Sequence, residues 1–413
     1  MDTPTAGHDR GISRRALSAA SLGERLRAIG FTPFFTDATG STNTDLVEAV
    51  RAERPGGASG GSGKKTFNFY NQSGQVAHLS VLLAEEQLAG RGRMGRSWTA
   101  PKHSQIIASV VLRLYGIHAD SMGLLPLLTG MAIAQGVREA SEAAGRRLPA
   151  ELKWPNDVLV AGRKLAGILV EAANVEASAV NGRQASPLLK EAVVVLGFGV
   201  NYDLTTEELP VAHATSIAVE GERAALAEQS VQAEQTERAE QARPDEPKEL
   251  AEQTERAEQA RPDELKELAE QGNQASQQDH VAAGPNALAD PAGDGHTLLP
   301  EREDVVFHIL DNLARDVERF TQLGGAPEAV IGRYRQLSAT IGSRVKAFLP
   351  GDEFVTGIAE DLDKSGELII KVEAHEGTRP IAVGQRLTVA AGDVEHLRAT
   401  DDDNSRTSEW GYA

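Results

Sequence analysis

The sequence predicts an α+β fold, in which a mixed sheet with helices is followed by a small β-barrel. Short runs rich in β-branched residues alternate with two longer helical patterns in the first part of the chain. Five short apolar runs separated by turn residues then occupy roughly the last sixty structured residues, a spacing typical of a small barrel. A polar segment of low complexity, which cannot contribute to a core, lies before the second helical pattern.

The elements follow from length, spacing and boundary residues. Five short β-branched runs predict strands at residues 79–84, 106–112, 158–160, 167–171 and 193–200. Two long patterns that end at glycine predict helices at residues 124–145 and 305–323, and shorter patterns predict helices at 17–29 and 44–54. The barrel strands are predicted at residues 344–348, 354–360, 368–372, 380–383 and 394–397, with turns at 350–352 and 363–366.

Two segments are interpreted as insertions. Residues 54–65 are rich in Gly and Ser, and residues 220–298 are acidic and nearly free of large apolar side chains. Within the second segment, residues 233–250 and 251–268 are copies that differ in Pro247 against Leu265. A helix of this composition is polar all round and buries little, so we predict a solvated insertion that is partly helical or disordered. A tether that docks a partner protein remains the alternative.

The chain carries a formal net charge of −18, yet it contains local basic islands. Lys153-Trp154-Pro155-Asn156-Asp157 is followed by Arg163-Lys164-Leu165-Ala166-Gly167 within an otherwise apolar, strand-like stretch. Lysine is rarely buried without a partner, so Lys164 among aliphatic residues indicates an anionic ligand such as a phosphate or carboxylate. The absence of cysteine excludes disulfides, thiolate metal sites and thiol nucleophiles.

A glycine- and arginine-rich loop forms the second island. Residues 90–96 contain three glycines and three arginines, and Trp98 follows them. Glycines let the backbone N–H groups approach a ligand, and arginines offer planar donors to carboxylate and phosphate oxygens. Between Gln87 and Asp120 there is no Asp or Glu, so the local charge is positive. DNA binding by this loop is the alternative, but the acidic chain and the lack of an adjoining recognition helix argue against it.

Together these strings resemble the biotin protein ligases, from about residue 35 to 216 and again from about 300 to 397. The order and spacing of several motifs carry the resemblance. They are Ser41-Thr42-Asn43, Gln87, the loop 90–96 with Trp98, Lys153–Asp157, Arg163–Gly167 and Gly197-Phe198-Gly199-Val200-Asn201. In one place the chain departs from the family pattern: His103 stands where the family usually has glycine, which puts the local turn in doubt.

The resemblance implies a fold and a domain organisation. The catalytic domain would be a mixed sheet of the biotin/lipoate ligase type, similar to the class II aminoacyl-tRNA synthetases, and the C-terminal domain an SH3-like β-barrel. The expected boundaries are an N-terminal tail with a short helix at 1–30, the catalytic domain at 31–219 and the acidic insertion at 220–298. The catalytic domain would end at 299–337, followed by the C-terminal domain at 338–398 and a tail at 399–413.

The resemblance also implies an activity: ATP and biotin react to give biotinyl-5′-adenylate, and biotin is then transferred to a lysine of a carrier protein. Lys164 and Arg93 are the expected catalytic residues, acting through charge. Ser41, Thr42, Asn43, Gln87, Arg91, Gly92, Arg93 and Lys164 are expected to bind biotin. Arg96, Trp98, Lys153, Asn156, Asp157 and Asn201 are expected to bind ATP or the adenylate, and Asp157 is also the expected Mg²⁺ ligand, because hard cations favour carboxylates shared with phosphates.

The implied partner is the biotin carboxyl carrier protein domain of an acetyl-CoA, acyl-CoA or pyruvate carboxylase. A lipoate–protein ligase of the same superfamily is the closest alternative activity. A biotin-responsive transcriptional regulator is a weaker one, since about forty residues precede Ser41, too few for a DNA-binding domain. We expect no DNA or membrane partner and a cytoplasmic location, because apolar runs are too short to span a bilayer. The resemblance leaves the choice between monomer and homodimer open.

Overall fold

The computed structural model describes residues 14–53, 68–177, 187–241, 299–390 and 394–397. The predicted insertion at 54–65 and most of the acidic repeat lie outside these residues. The chain divides into two compact units, one comprising Met1–Arg223 and Leu298–Ala413, the other Ala224–Thr297. The described part of the second unit is helical.

The centre of the first unit is a seven-stranded mixed sheet with the order β1-β2-β3-β7-β6-β5-β4. Strands β1 and β2 are parallel and every other neighbouring pair is antiparallel. The strands are β1 (Thr32–Thr36), β2 (Ser80–Ala84), β3 (Gln105–Leu114), β4 (Ala150–Lys153), β5 (Asp157–Val160), β6 (Arg163–Ala177) and β7 (Leu189–Asn201).

Both faces of this sheet are covered, which explains why the central strand β3 is buried along its whole length. All ten residues of β3 are buried. A strand covered on both sides loses the alternation of apolar and polar residues that a half-exposed strand shows. One face packs on a helix through a cluster that includes Leu46 and Val50 with Val111 and Val195, and the other face contributes to the larger core.

The helices are α1 (Ser21–Ala28), α2 (Thr42–Arg51), α3 (Leu125–Ala143), α4 (Ile217–Gln241), α5 (Arg302–Gln322) and α6 (Ile331–Leu337). Helix α5 buries Val305, Ile309 and Leu313 at helical spacing, which gives it a continuous apolar stripe. Helices α3 and α5 approach closely at Gly136, where a Cβ would lie 2.5 Å from the backbone nitrogen of Ile309. Helix α2 begins at the cap Ser41 and lies on the opposite face of the sheet.

The C-terminal part forms a five-stranded antiparallel sheet with the order β11-β10-β9-β8-β12. Its strands are β8 (Arg344–Leu349), β9 (Glu353–Leu362), β10 (Leu368–Glu376), β11 (Arg386–Val389) and β12 (Val394–His396). Buried and less buried residues alternate along β9, so one face packs inward.

The predicted fold class is confirmed, because a mixed seven-stranded sheet with helices is followed by a small antiparallel domain of the SH3-like kind. The strand predicted at 380–383 is wrong, because Val383 and Gly384 form a turn and the strand begins at Arg386. Strands β1 and β4 and helix α6 were not predicted, and β6 is much longer than residues 167–171.

The predicted start of the acidic insertion at residue 220 does not coincide with the end of the first unit. Glu220, the first residue of the predicted acidic insertion, is 4% exposed and makes a bidentate ion pair with Arg163 of β6. It therefore belongs structurally to the first unit, which extends to Arg223.

Among the helices in the described part of the chain, none is both long and apolar enough to cross a membrane.

Candidate active site

All fourteen residues singled out in the sequence line one cavity of about 210 Å³. They come from separate elements: the start of α2, the loop after β2, the β4–β5–β6 hairpins and the end of β7. They are Ser41, Thr42, Asn43, Gln87, Arg91, Gly92, Arg93, Arg96, Trp98, Lys153, Asn156, Asp157, Lys164 and Asn201. The structure thus brings the predicted residues together, while their individual roles remain predictions.

One end of the cavity is a network of neutral polar groups around the first turn of α2. Ser41 caps the helix, with its Oγ 3.4 Å from the Thr44 nitrogen. The N–H and the hydroxyl of Thr42 both donate to Oε1 of Gln87, at 2.9 and 3.1 Å. Ser109, which the sequence did not single out, lies 2.7 Å from the Thr42 hydroxyl and 2.6 Å from Oδ1 of Asn43. Ser41, Thr42, Asn43 and Ser109 are buried, and buried polar atoms of this kind need hydrogen-bond partners.

The glycines of β7 provide the floor of the cavity. A Cβ added at Gly197 would overlap the carboxamide of Asn43, and one at Gly199 would overlap the indole of Trp98. The Gly-x-Gly string therefore has a steric explanation: both side chains lie directly against the backbone of β7.

Trp98 is fixed by a chain of amide hydrogen bonds. Its indole N–H donates to Oε1 of Gln105 at 3.1 Å, and Nε2 of Gln105 donates to Oδ1 of Asn201 at 2.8 Å. Nδ2 of Asn201 donates to the carbonyl of Thr215 at 2.9 Å. Asn201 is 1% exposed, so its observed contacts support Trp98, and its predicted direct contact with the adenylate stays a prediction.

The glycine-arginine loop lies against the cavity as a short hairpin. Arg91 and Ser97 form a β-bridge, and the N–H of Gly92 donates to the carbonyl of Arg96 at 2.7 Å. Arg93 donates to Oδ1 of Asn156 at 3.1 Å. At the tip, Met94 is 73% exposed and has a positive φ of 56°. Arg93 therefore connects the loop to the β4–β5 turn, while the tip of the loop faces solvent.

The opposite end of the cavity is cationic. Nζ of Lys164 lies 2.7 Å from Oδ1 of Asp157 and 5.7 Å from the ring centroid of Trp98. Lys153 also lines this end. Nearby His213 accepts the N–H of Lys164 at its backbone carbonyl, at 2.8 Å. Burial, together with the positive charges of Lys153 and Lys164, lowers the pKa of the His213 imidazole to about 4, so this ring is neutral at pH 7.

The C-terminal sheet contributes to the cavity, which the sequence did not reveal. Val394 and Glu395 of β12 line it. Trp154 is buried and connects the seven-stranded sheet to the C-terminal part of the same unit. Its backbone N–H donates to the hydroxyl of Thr340 and its indole N–H donates to the carbonyl of Gly366, each at 2.9 Å. The Trp154–Pro155 peptide bond is cis.

The structure shows how the backbone accommodates His103 at the position where glycine was expected. Its φ is +66°, a backbone conformation that glycine adopts without strain. Its N–H donates to the Glu85 carbonyl at 3.1 Å, and its Nδ1 lies 2.9 Å from the Glu85 carboxylate, which Arg302 also contacts. Histidine thus keeps the glycine-like turn and adds a contact to the Glu85–Arg302 ion pair beside Gln105, whose carbonyl accepts from Arg302 at 3.2 Å.

The chain is similar to proteins of one family. The Biotin/lipoate A/B protein ligase family matches residues 61–181, and the biotin protein ligase C-terminal domain matches residues 340–397. A biotin–[acetyl-CoA-carboxylase] ligase of Mycobacterium tuberculosis is 30% identical over 362 residues, which is 87% of each chain. A bifunctional ligase/repressor BirA of Bacillus subtilis is 34% identical over 131 residues, 32% of this chain and 35% of that one.

A solved structure of a biotin protein ligase from Aquifex aeolicus, in complex with biotin and ATP, is also similar. It is 17% identical, covers 89% of this chain and 99% of its own, and has a TM-score of 0.46.

Proposed function

This chain belongs to the biotin protein ligases, and from that premise we propose that it activates biotin with ATP and transfers it to a lysine of a carrier protein. The proposal assigns the neutral polar end of the cavity to the biotin ring and the cationic end to the carboxylate and phosphates. One observation carries it: the fourteen predicted residues converge on one cavity, with the amide groups of Asn43 and Gln87 at one end and lysines at the other.

The polar end suits a ureido ring, which has two N–H donors and one carbonyl acceptor. Because the Thr42 N–H can only donate, the Gln87 atom facing it must be Oε1, and Nε2 remains to donate to a ligand. Asn43 offers its Oδ1 beside Gly197, where it can accept an N–H. Both kinds of partner are therefore provided within one wall of the cavity, as a buried ring with three polar groups requires.

The first step joins biotin to AMP. A carboxylate oxygen of biotin attacks the α-phosphorus of ATP, the new O–P bond forms, and the bond to the β-phosphate oxygen breaks, releasing pyrophosphate. Negative charge accumulates on the α-phosphate oxygens. Lys164 is assigned to these oxygens and to the biotin carboxylate, with Arg93, Lys153 and Asn156 on neighbouring oxygens. Such fixed charges lower the barrier because they need no reorientation during the reaction.

The second step moves biotin to the carrier. The neutral amine of a carrier lysine attacks the acyl carbon of the adenylate, the C–N bond forms, the C–O bond to AMP breaks, and the amine loses a proton. The chain needs no nucleophile of its own, and its contribution is to position the anhydride and exclude water. Trp98, which lies against the paired glycines Gly167 and Gly199, is assigned to the adenylate end of the cavity.

We also propose Asp157 as a ligand of Mg²⁺. Within the described residues no group of three or more His, Asp or Glu side chains could hold a metal. One carboxylate combined with phosphate oxygens and water is nevertheless an ordinary Mg²⁺ environment. Asp157 lines the cationic end of the cavity and can supply this carboxylate, although its Oδ1 is paired with Lys164 in this structure. When bound, Mg²⁺ would neutralise charge on the triphosphate.

Biotin is favoured over lipoate by the polar end. The dithiolane ring of lipoate has no N–H or carbonyl group, so it would leave the polar atoms of Asn43 and Gln87 without ligand partners. A site built to hydrogen-bond a substrate rejects analogues without those groups by roughly 10⁴–10⁵. The acceptor in this proposal is the carrier domain of an acetyl-CoA, acyl-CoA or pyruvate carboxylase, and the reaction is placed in the cytoplasm.

The test is pyrophosphate exchange into ATP with biotin or lipoate as the acid. We expect exchange with biotin and Mg²⁺, none without biotin, and none above background with lipoate. Exchange with lipoate but not with biotin would replace the proposal with lipoate ligation. Exchange with neither acid would contradict both activities.

A further inference from the structure

Glu171 of β6 lies at the centre of a small network outside the residues that line the cavity. Its Oε2 accepts from Nδ2 of Asn43 at 2.9 Å, and its Oε1 accepts from Nη2 of Arg91 at 3.0 Å. The glutamate therefore touches both the predicted biotin site and the glycine-arginine loop. Its side chain is about one quarter exposed (26%), so it is well placed for a charge-assisted contact with moderate solvent screening.

The contact with Glu171 helps to determine which atom of Asn43 faces the cavity. Nδ2 of Asn43 also donates to the carbonyl of Leu169 at 3.1 Å. A carbonyl and a carboxylate can only accept, so the atom between them must be the nitrogen, and both of its protons are used. Oδ1 is left on the other side, next to Ser109 and over Gly197. Asn43 is thereby fixed as a hydrogen-bond acceptor toward the cavity.

The same carboxylate holds the loop. Nη2 of Arg91 donates to Glu171 and, at 3.0 Å, to the hydroxyl of Thr44 in the first turn of α2. Arg91 is the first arginine of the loop, and its bridge to Ser97 closes the hairpin. Glu171 thus connects the orientation of Asn43 with the position of the loop through one side chain.

We propose that Glu171 is a positioning residue for biotin, which keeps Asn43 turned as an acceptor for a ureido N–H and holds Arg91 against the catalytic domain. The inference rests on the proposed function, since it concerns the same ligand. Glu171 itself touches neither biotin nor ATP in this scheme. Replacing it should therefore weaken biotin binding and leave the nucleotide end of the cavity intact.

The experiment measures KM for biotin and KM for ATP in pyrophosphate exchange for Glu171→Gln. Glutamine keeps the shape but removes the charge, and its amide can donate as well as accept, so only the Leu169 carbonyl still fixes the orientation of the Asn43 amide. Loss of a charge-assisted bond predicts that KM for biotin rises roughly tenfold. KM for ATP at saturating biotin should stay within about twofold. The matched control is Glu176→Gln on the same strand, whose partner is the exposed Lys190 and which should match wild type.

Two double-variant cycles separate positioning from general destabilisation. If Glu171 acts through Asn43 and Arg91, then Glu171→Gln should add less than its own full factor to Asn43→Ala and to Arg91→Met. Glu171→Asp, which keeps the charge but is too short to reach both partners, should raise KM for biotin by a smaller factor. It also provides the test should Glu171→Gln not fold.

An unchanged KM for biotin in Glu171→Gln and Glu171→Asp, or effects that multiply fully in both cycles, would overturn the inference and leave the proposed function in place. A parallel rise of KM for ATP would also overturn it, because it would indicate a general structural role. Wild-type protein without biotin-dependent exchange would overturn the proposed function and, with it, this inference.

Discussion

The ammonium of Lys164 lies 2.7 Å from the carboxylate of Asp157, and both side chains are mostly buried in the wall of the cavity. The pair joins two strands, β5 and β6, that meet in a hairpin. Because the carboxylate neutralises and orients the lysine, the cation is already in place before an anionic ligand arrives. This relationship explains how a lysine can occur within an apolar strand at acceptable cost.

Replacing Lys164 with alanine should reduce adenylate formation strongly. One charge-assisted contact that strengthens in the transition state is worth about 3–4 kcal/mol, or roughly 10²–10³ in rate. The measurement is biotin-dependent pyrophosphate exchange. Lys190→Ala removes an exposed lysine that is paired with Glu176 and should retain the wild-type rate. Exchange by Lys164→Ala within about threefold of wild type would remove the lysine from the catalytic scheme.

Replacing Gly199 with alanine should displace Trp98. A Cβ at this position would overlap the indole, which is also hydrogen-bonded to Gln105 and cannot move freely. Overpacking of this kind costs about 1–3 kcal/mol, so we expect a loss of roughly 5- to 150-fold in exchange activity. Tryptophan fluorescence should shift in parallel. The control is Gly332→Ala in α6, where open space surrounds the new methyl group. Equal activities of the two variants would show that Trp98 does not need its place on β7.

Stability should fall as the pH drops from about 6.5 to 4. Burial, and then the charge of Lys153, lower the pKa of His396 to about 4, while the unfolded chain takes up the proton near 6.5. Protonation in this window therefore favours the unfolded state, by at most about 1.4 kcal/mol per pH unit. Above pH 6.5 this group contributes no pH dependence.

The corresponding measurement is urea unfolding at several pH values for wild type and His396→Gln. Nε2 of His396 lies 3.0 Å from the hydroxyl of Thr340, and glutamine offers an acceptor there without titrating. The variant should lose less stability between pH 6.5 and 4 than wild type does. An identical pH dependence in both proteins would show that His396 is not buried in its neutral form.

Removing residues 224–297 and joining the ends with a short Gly/Ser linker should leave ligase activity largely unchanged. The segment is polar and repetitive, and its composition offers little to a core. The deletion begins after Arg223 because Glu220 pairs with Arg163. Preserved adenylate formation with reduced labelling of the carrier would instead show that the segment recruits the carrier. Loss of both half-reactions would contradict the predicted insertion.

The sequence predicted the central strands and long helices because their apolar patterns are strong and local. It missed β1 because Pro33 argues against a strand, yet β1 is an edge strand, where a missing N–H is tolerated. It placed the fourth barrel strand too early because Pro380 and Val383 resemble a strand start, whereas Gly384, with φ of +84°, turns the chain first.

The candidate site was predicted where motif residues are contiguous and missed where partners are distant in the sequence. Glu171 is the last residue of the predicted strand 167–171, but its contacts with Asn43 and Arg91 arise from pairing across the fold. Likewise, nothing in the local sequence around Thr340 indicates that it would accept a hydrogen bond from the backbone of Trp154. Such contacts depend on tertiary packing, which periodicity and propensity do not encode.

The most direct test is transfer of labelled biotin to a purified biotin carboxyl carrier protein domain, with and without ATP. We expect ATP-dependent incorporation at one carrier lysine, lost when that lysine is replaced by arginine and greatly reduced in the Lys164→Ala enzyme. ATP-dependent labelling that does not require the carrier lysine, or no labelling by wild-type enzyme with biotin, ATP and Mg²⁺ present, would contradict assignment of this cavity to biotin ligation.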